Sequence, residues 1–433
     1  MPLALIAHGV GTRGDLPLPL PFFVWGVGIA LTISFFGLVV LWPQARMRQA
    51  ATGRVLIKRP KWLIWILTGA GCFIFFLALA AGWLGDNVVY NNLLPVTFYV
   101  TVWVGAQLVA GLLGDIWPAI NPMTAIARLV DSTALASLRR RSTVAPPDWG
   151  HWPATAGLLI FLFYELSHPE GSLPRTLAVL LTTHLVVTVV AARSWGWEWV
   201  RDHEPFTVLF AAIGAMGPIF SEAGWIRVRP PLSGLASMAV KAGTGAMLLT
   251  VIGGTSFDGF SESTIGRDIF GSQTGWALAA WETLGLLVSI AVVAALFGFG
   301  VWWTARVTDL TRPQAWRTFT PSLVPIVFGY TVAHYFQLFV DNVQVFVFRL
   351  ADPFGAGWNL LGIADNVPWR IDPDVTSWIQ VGAMLFGHVG AVLVAHDLAV
   401  ESFKPGEATR SQFGMVFVMI AYSALGLWLL LTA

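Results

Sequence analysis

Residues 43–84 read PQARMRQAATGRVLIKRPKWLIWILTGAGCFIFFLALAAGWL, a segment with six basic side chains followed by a long run that carries no charge. A helix rises about 1.5 Å per residue, so a run of this length covers the roughly 30 Å hydrocarbon core of a bilayer. Arg46, Arg48, Arg54, Lys58, Arg59 and Lys61 then mark the cytoplasmic end of that crossing, because basic residues concentrate in short cytoplasmic loops.

The same pattern repeats along the chain. Apolar runs near 21–42, 62–84, 93–113, 152–168, 174–192, 233–254, 274–303, 321–340, 376–399 and 412–432 predict ten spans. Nineteen of the twenty-five Lys and Arg residues fall in the alternate segments 43–61, 114–151, 193–232, 304–320 and 400–411. The opposite side receives Arg13, Arg175, Arg267, Arg349 and Arg370. The expectation is an all-α polytopic bundle forming one transmembrane domain over 1–433, with the lipid bilayer as its partner and both termini outside. Residues 1–20 form a Gly- and Pro-rich lead-in on the outer face, and 341–375 form a long outer loop. The run from Pro205 to Phe220 is short, and counting it as a span would break the charge alternation. It reads as a helix lying on the membrane surface.

Composition agrees with this reading. The chain is 56% hydrophobic and 11% charged, against about a quarter charged in ordinary soluble domains. A net charge of +1 leaves no basic surface for nucleic acid. Cys72 is the single cysteine, so disulfides within the chain and thiolate metal clusters are excluded. Two cytoplasmic segments look alike, GDIWPAINPMTAIARLV (114–130) and WEWVRDHEPFTVLFAAIG (197–214). In each, Asn121 or Glu204 precedes a proline, the signature of a helix start.

Ionisable residues inside spans carry the functional argument, since hydrocarbon tolerates them only beside partners or water. Tyr330, His334, Gln337, Asp341 and Gln344 recur at helical spacing and form one polar face rising outward. Gln380, Met384 and His388 do the same in the next span, and Glu282 and His184 lie at similar depth, with Glu165 and His168 at the outer end of the fourth span. Together they predict an outward-facing polar cavity lined by Tyr330, His334, Gln337, Asp341, Glu282, His184 and His388. Imidazoles with a carboxylate are also the donors of a zinc or copper site, and Met384 beside His388 favours copper. A haem held by His334 and His388 is a further option. Ala7 before His8 resembles a cleavage site, and processing there offers the His8 amine and imidazole to a metal outside the membrane. At the cytoplasmic end His396, Asp397 and Lys241 form a second candidate cluster, with Lys241 inside the sixth span.

The segments HGVGTRGDLPLPLPFF, GDIWPAINPMTAIAR, AHYFQLFV, ADPFGAGWNLLG and GHVGAVLVAHDLA resemble those of a bacterial family of multi-spanning membrane proteins commonly labelled fenitrothion hydrolase. The resemblance implies a bacterial cytoplasmic-membrane protein and hydrolysis of an organophosphorus ester, a reaction needing a metal-activated water or an equivalent nucleophile. It points to His8, Arg13, Asp15, His334, Asp352, His388, His396 and Asp397 as the functional positions. The chain has neither Gly-x-Ser-x-Gly nor His-Glu-x-x-His.

Three functions therefore follow from the sequence. One is a transporter or permease for a small solute or metal ion, and a second is a membrane-embedded metal-dependent hydrolase. The third is an accessory subunit of a membrane complex.

Overall fold

The computed structural model describes residues 20–132 and 148–432, so the lead-in with His8, Arg13 and Asp15, and the basic run Arg139 to Arg141, lie outside the described residues. The chain is mostly helical. Helices α1 (Leu20–Leu41), α2 (Lys61–Leu84) and α3 (Leu93–Leu112) come first, and α3 is wound as a π-helix over Val96–Gly105. The short α4 (Pro122–Asp131) leads to α5 (Trp152–Leu166) and α6 (Pro174–Trp195). Two further short helices follow, α7 (Trp197–His203) and α8 (Pro205–Gly214). The second half comprises α9 (Thr244–Glu262), α10 (Gly275–Val307), α11 (Leu323–Arg349), α12 (Pro373–Ser402) and α13 (Phe413–Thr432). Among the described residues six helices are long and apolar enough to cross a bilayer: α2, α3, α6, α10, the continuous stretch Arg312–Arg349 that contains α11, and α12.

The centre of the bundle is the crossing of α11 and α12. A Cβ added to Gly329 would stand 2.9 Å from the Gly387 Cα, and one added to Gly387 would stand 2.9 Å from the Gly329 Cα. Two glycines therefore let the backbones touch, as small residues do where membrane helices pack closely. A Gln107 side chain on α3 receives a 3.1 Å hydrogen bond from Thr331 on α11 and donates to the Trp103 carbonyl, tying α3 to this centre.

Four features differ from the expected plan. A three-stranded antiparallel sheet forms from β1 (Arg54–Lys58), β2 (Ile219–Glu222) and β3 (Trp225–Val228), in the order β1-β3-β2. The β1 stretch RVLIK contains two β-branched residues between Gly53 and Pro60, a run too short to register beside twenty-residue helices. Next, the sixth span is shifted. Residues 233–237 make a 3-10 turn, Gly243 takes a left-handed conformation (φ +87), and the helix runs from Thr244 to Glu262 instead of 233 to 254. Lys241 thus stands in a turn before α9 and pairs with Asp202 at 3.1 Å. It does not join His396 and Asp397.

The third difference concerns α8, which is not a surface helix. Every residue from Pro205 to Gly214 except Ala211 is buried, with Phe206 edge-on to Phe98, Phe161 and Trp103. Finally, α11 continues through Asp341 and Gln344 to Arg349, so the outer loop starts later than expected. That loop is pinned by Asp352, whose carboxylate accepts from Ala356 N at 2.9 Å and Gly357 N at 2.8 Å.

His396 and Asp397 act as a staple. The buried Asp397 carboxylate accepts from Trp42 Nε1 and from the backbone of Arg46 and Met47, while His396 contacts the Trp42 carbonyl and Gln412. The chain leaving α1 is thereby fastened to α12.

At the start of α5, His151 contacts the Thr244 hydroxyl at 2.8 Å. Burial, reinforced by the nearby Lys241, pushes its pKa from 6.5 down to about 4. The unfolded chain then binds a proton more readily than the fold, so His151 contributes its full stabilisation above about pH 6.5 and loses it as pH falls toward 4. Asp115, raised by burial to about 6, acts with opposite sign over much of the same window. The expected outcome is that the melting temperature of the wild type relative to His151→Gln declines between pH 6.5 and 4.5 in detergent. A constant difference would show that His151 does not titrate there.

Candidate functional site

The polar stripe of α11 divides into two parts with different work. Its outer part is a clasp: Gln337 donates to Asp341 at 2.7 Å and accepts from Thr376 of α12 at 2.7 Å, while Gln344 bonds both backbone groups of Trp369 in the outer loop. Its inner part faces α9. His334 Nε2 lies 2.8 Å from Asp258 Oδ2, and the Tyr335 hydroxyl donates to the same oxygen at 3.2 Å. Asp258 is 0% and His334 6% exposed. The buried Glu165 of α5 lies close enough to Asp258 for their charges to interact, beside the Trp103 indole, and one of its carboxyl oxygens has no hydrogen-bond partner. Asp258, His334 and Tyr335 are thus linked by hydrogen bonds between α9 and α11, and the Glu165 carboxyl of α5 stands within electrostatic reach of Asp258, all four side chains being buried. A cavity of about 20 Å³, room for about one water, borders His334, Tyr330, Ser256 and Met384.

His388 is a neighbour of this cluster and not a member. Its Nδ1 bonds the Met384 carbonyl at 2.9 Å, its buried Nε2 has no partner, and its ring stands edge-on to Tyr330 and Tyr422. Among the described residues no three His, Cys, Asp or Glu side chains lie close enough to hold a metal ion together. Glu282, half-buried on α10, borders neither of the two cavities found beside the polar groups. His168 stacks on Tyr164 at the outer end of α5.

His184 belongs to a second polar centre. It occupies the middle of α6, about 15 Å by helical rise from either end. Its Nε2 lies 3.2 Å from Glu204 Oε1. Glu204 caps α8 by accepting from the backbone of Phe206 and Thr207 and from the Thr207 hydroxyl. Asn121 caps α4 in the same manner, accepting from Met123 and Thr124. The two caps touch, because Asn121 Nδ2 donates to Thr207 Oγ1 at 2.7 Å and reaches Glu204 Oε2 at 3.4 Å. The two similar segments are thus hairpins that reach the level of His184, meet tip to tip and turn back. Each proline sits where a first-turn N–H has no intrahelical partner, and each preceding side chain satisfies the donors just beyond it.

The seven expected pathway residues are therefore shared out: Tyr330 and His334 at the inner cluster, Gln337 and Asp341 in the outer clasp, His184 at the hairpin tips, and His388 and Glu282 apart. Sequence reasoning missed Asp258, which fell outside the sixth span once that span was placed too early. Its signal was a lone carboxylate one helical turn after Thr255, visible only with the helix start at Gly243. Glu204 was read as a cap, but nothing in the sequence pairs it with His184. Compared with known proteins, the chain matches no family model and no curated sequence.

Replacing Glu204 with alanine leaves two helix-end donors and the Thr207 hydroxyl unpaired in the bundle interior, and is expected to cost about 3 kcal/mol. Glu204→Gln retains one acceptor and should cost about half as much. Thermal unfolding of both variants in detergent checks the order, and equal losses would contradict the cap.

Proposed function

We propose that the protein is an integral membrane transporter or permease, with about ten helices crossing the bilayer and both termini outside, whose Asp258–His334–Glu165 cluster gains and loses a proton during the transport cycle. The observation that carries this reading is the pairing of Asp258 and His334 across α9 and α11 at near-zero exposure. An Asp within a membrane helix is costly, by about 2.5–3.5 kcal/mol when it stands at the centre, and such residues mark ion and proton pathways; Asp258 lies about one turn before the end of α9. Helix packing alone would be served by an amide pair at lower cost. The cluster's net charge changes by one with each proton, and its 20 Å³ neighbour admits water but not an organic ester. Hydrolysis of an organophosphorus ester, the activity implied by resemblance, calls for a metal-activated water or an equivalent nucleophile with room for the ester beside it, and the space beside His334 holds about one water. Transport is therefore the better supported of the readings. The hairpins, whose tips meet at His184, are a second feature in its favour, since broken helices meeting inside the membrane are a recurrent element of transporters.

The test uses proteoliposomes with an enclosed pH dye, challenged in turn with amino acids, sugars, carboxylates and divalent cations. The expected outcome is a proton flux that depends on one solute class and falls at least about tenfold in Asp258→Asn and in His334→Gln, with melting temperatures showing both variants folded. Solute flux that both folded variants retain would remove the relay. Absence of any solute-dependent flux, together with tight copurification of another membrane protein, would favour the accessory-subunit reading.

A further inference from the structure

A cavity of about 420 Å³ lies between α2 and α3, within the roughly 300–1,000 Å³ of small-molecule sites, and it borders neither Asp258 nor His334. Its walls follow α2 from Leu67 to Ala78 and α3 from Leu94 to Val109. The α3 wall alone is about 20 Å long by helical rise, so the cavity is elongated and suits an extended hydrocarbon tail lying along the two helices. The π-helical stretch of α3 supplies Thr97, Phe98, Thr101, Val102 and Gly105 to the wall, and π-wound turns recur at functional sites.

The cavity is apolar along its length but has a polar end. Asn121, His184 and Glu204, the meeting point of the hairpin tips, all border it. Glu204 already accepts two backbone N–H groups, a hydroxyl and the His184 contact, and is satisfied. His184 is not: with Nε2 turned to Glu204 it keeps 23% of its side chain exposed. Its other ring nitrogen accepts when Nε2 carries the proton. Trp117, also in the wall, is buried and has an indole N–H with no acceptor.

We propose that this cavity binds a single-chain amphiphile with an alcohol head, its tail along α2 and α3 and its hydroxyl at His184. A hydroxyl donates to an imidazole nitrogen and also accepts from an indole N–H, so it answers either unused group. A fatty acid would bring its carboxylate toward Glu204 and be repelled, and an ammonium has no lone pair for Trp117. The tail's route in is short, because α2 is only part-buried along the cavity and its opposite face, with Trp62, Trp65, Ile66, Phe73 and Phe76, is exposed. Binding here is independent of proton movement at Asp258, so this site and the relay stand or fall separately.

The experiment is photolabelling of the full-length protein in lipid nanodiscs with a diazirine-tagged hexadecanol, followed by peptide mapping. Label is expected on peptides covering Leu67–Ala78 and Leu94–Val109. It should fall at least about tenfold in Val102→Trp and Ala70→Phe, which fill the tail channel, and remain unchanged in Val187→Trp on the exposed face of α6. Untagged hexadecanol should compete at least about tenfold better than hexadecane or palmitate, since the hydrocarbon makes no head contact. Melting temperatures identify any variant that fails to fold, and the competition series uses the wild type alone. Equal competition by hexadecane would mean that bulk lipid tails merely enter the groove, and this would overturn the proposal, as would label scattered over other helices.

Discussion

Glu204 gathers five hydrogen-bond contacts at the point where the chain turns back inside the bundle, and much of the structure depends on contacts of that kind. A helix that starts in hydrocarbon exposes N–H groups that water would otherwise satisfy, at several kcal/mol each if left alone. The protein meets this constraint repeatedly with a side-chain oxygen. Asn121 does so for α4, Asp397 for the turn after α1, and Asp352 for the outer loop. Each of these acceptors is buried, and two of them also link distant segments, Asn121 through Thr207 and Asp397 through Trp42. The short helices α4 and α8 reach the middle of the bundle only because their first turns are capped.

The buried polar groups then separate by purpose. Where an acceptor closes a turn, as Asp397 does for Arg46 and Met47 and Asp352 for Ala356 and Gly357, its role is complete once the turn is closed. The cluster around Asp258 is different in kind. Its partners are an imidazole, a phenol and a second carboxyl, all of them side chains that exchange protons, and no chain turn depends on it. His184 stands between these cases, since one face serves the Glu204 cap and the other borders an apolar cavity.

Much of this was legible in the sequence, and the failures have physical causes. Helix positions followed from apolar length, because a run such as 62–84 permits little else. The polar face Tyr330 to Gln344 was visible from its spacing, and all five residues do lie on one continuous helix. Likewise Asn121 and Glu204 were readable as helix starts, because a side-chain acceptor followed by proline is a local device. Contacts between distant segments were not readable. Asn121 meets Thr207, and Asp258 meets His334 across 76 positions, with no local pattern to announce either. The start of α9 was misplaced because residues 233–240 are apolar enough to pass for helix, while the left-handed turn at Gly243 leaves no trace in hydropathy.

The π-wound stretch of α3 fixes more than the width of a cavity wall. A π-turn holds one more residue than an α-turn, so the stretch is an insertion absorbed without a loop. The stretch has already taken up its extra residue, so one more residue wound as ordinary α-helix would rotate everything beyond it by about 100°. Gln107 would swing away from Thr331, and the face now shared with α11 would turn toward lipid. The length of α3 is therefore under tighter restraint than its composition: the helix can exchange one apolar side chain for another, but it has no room to grow.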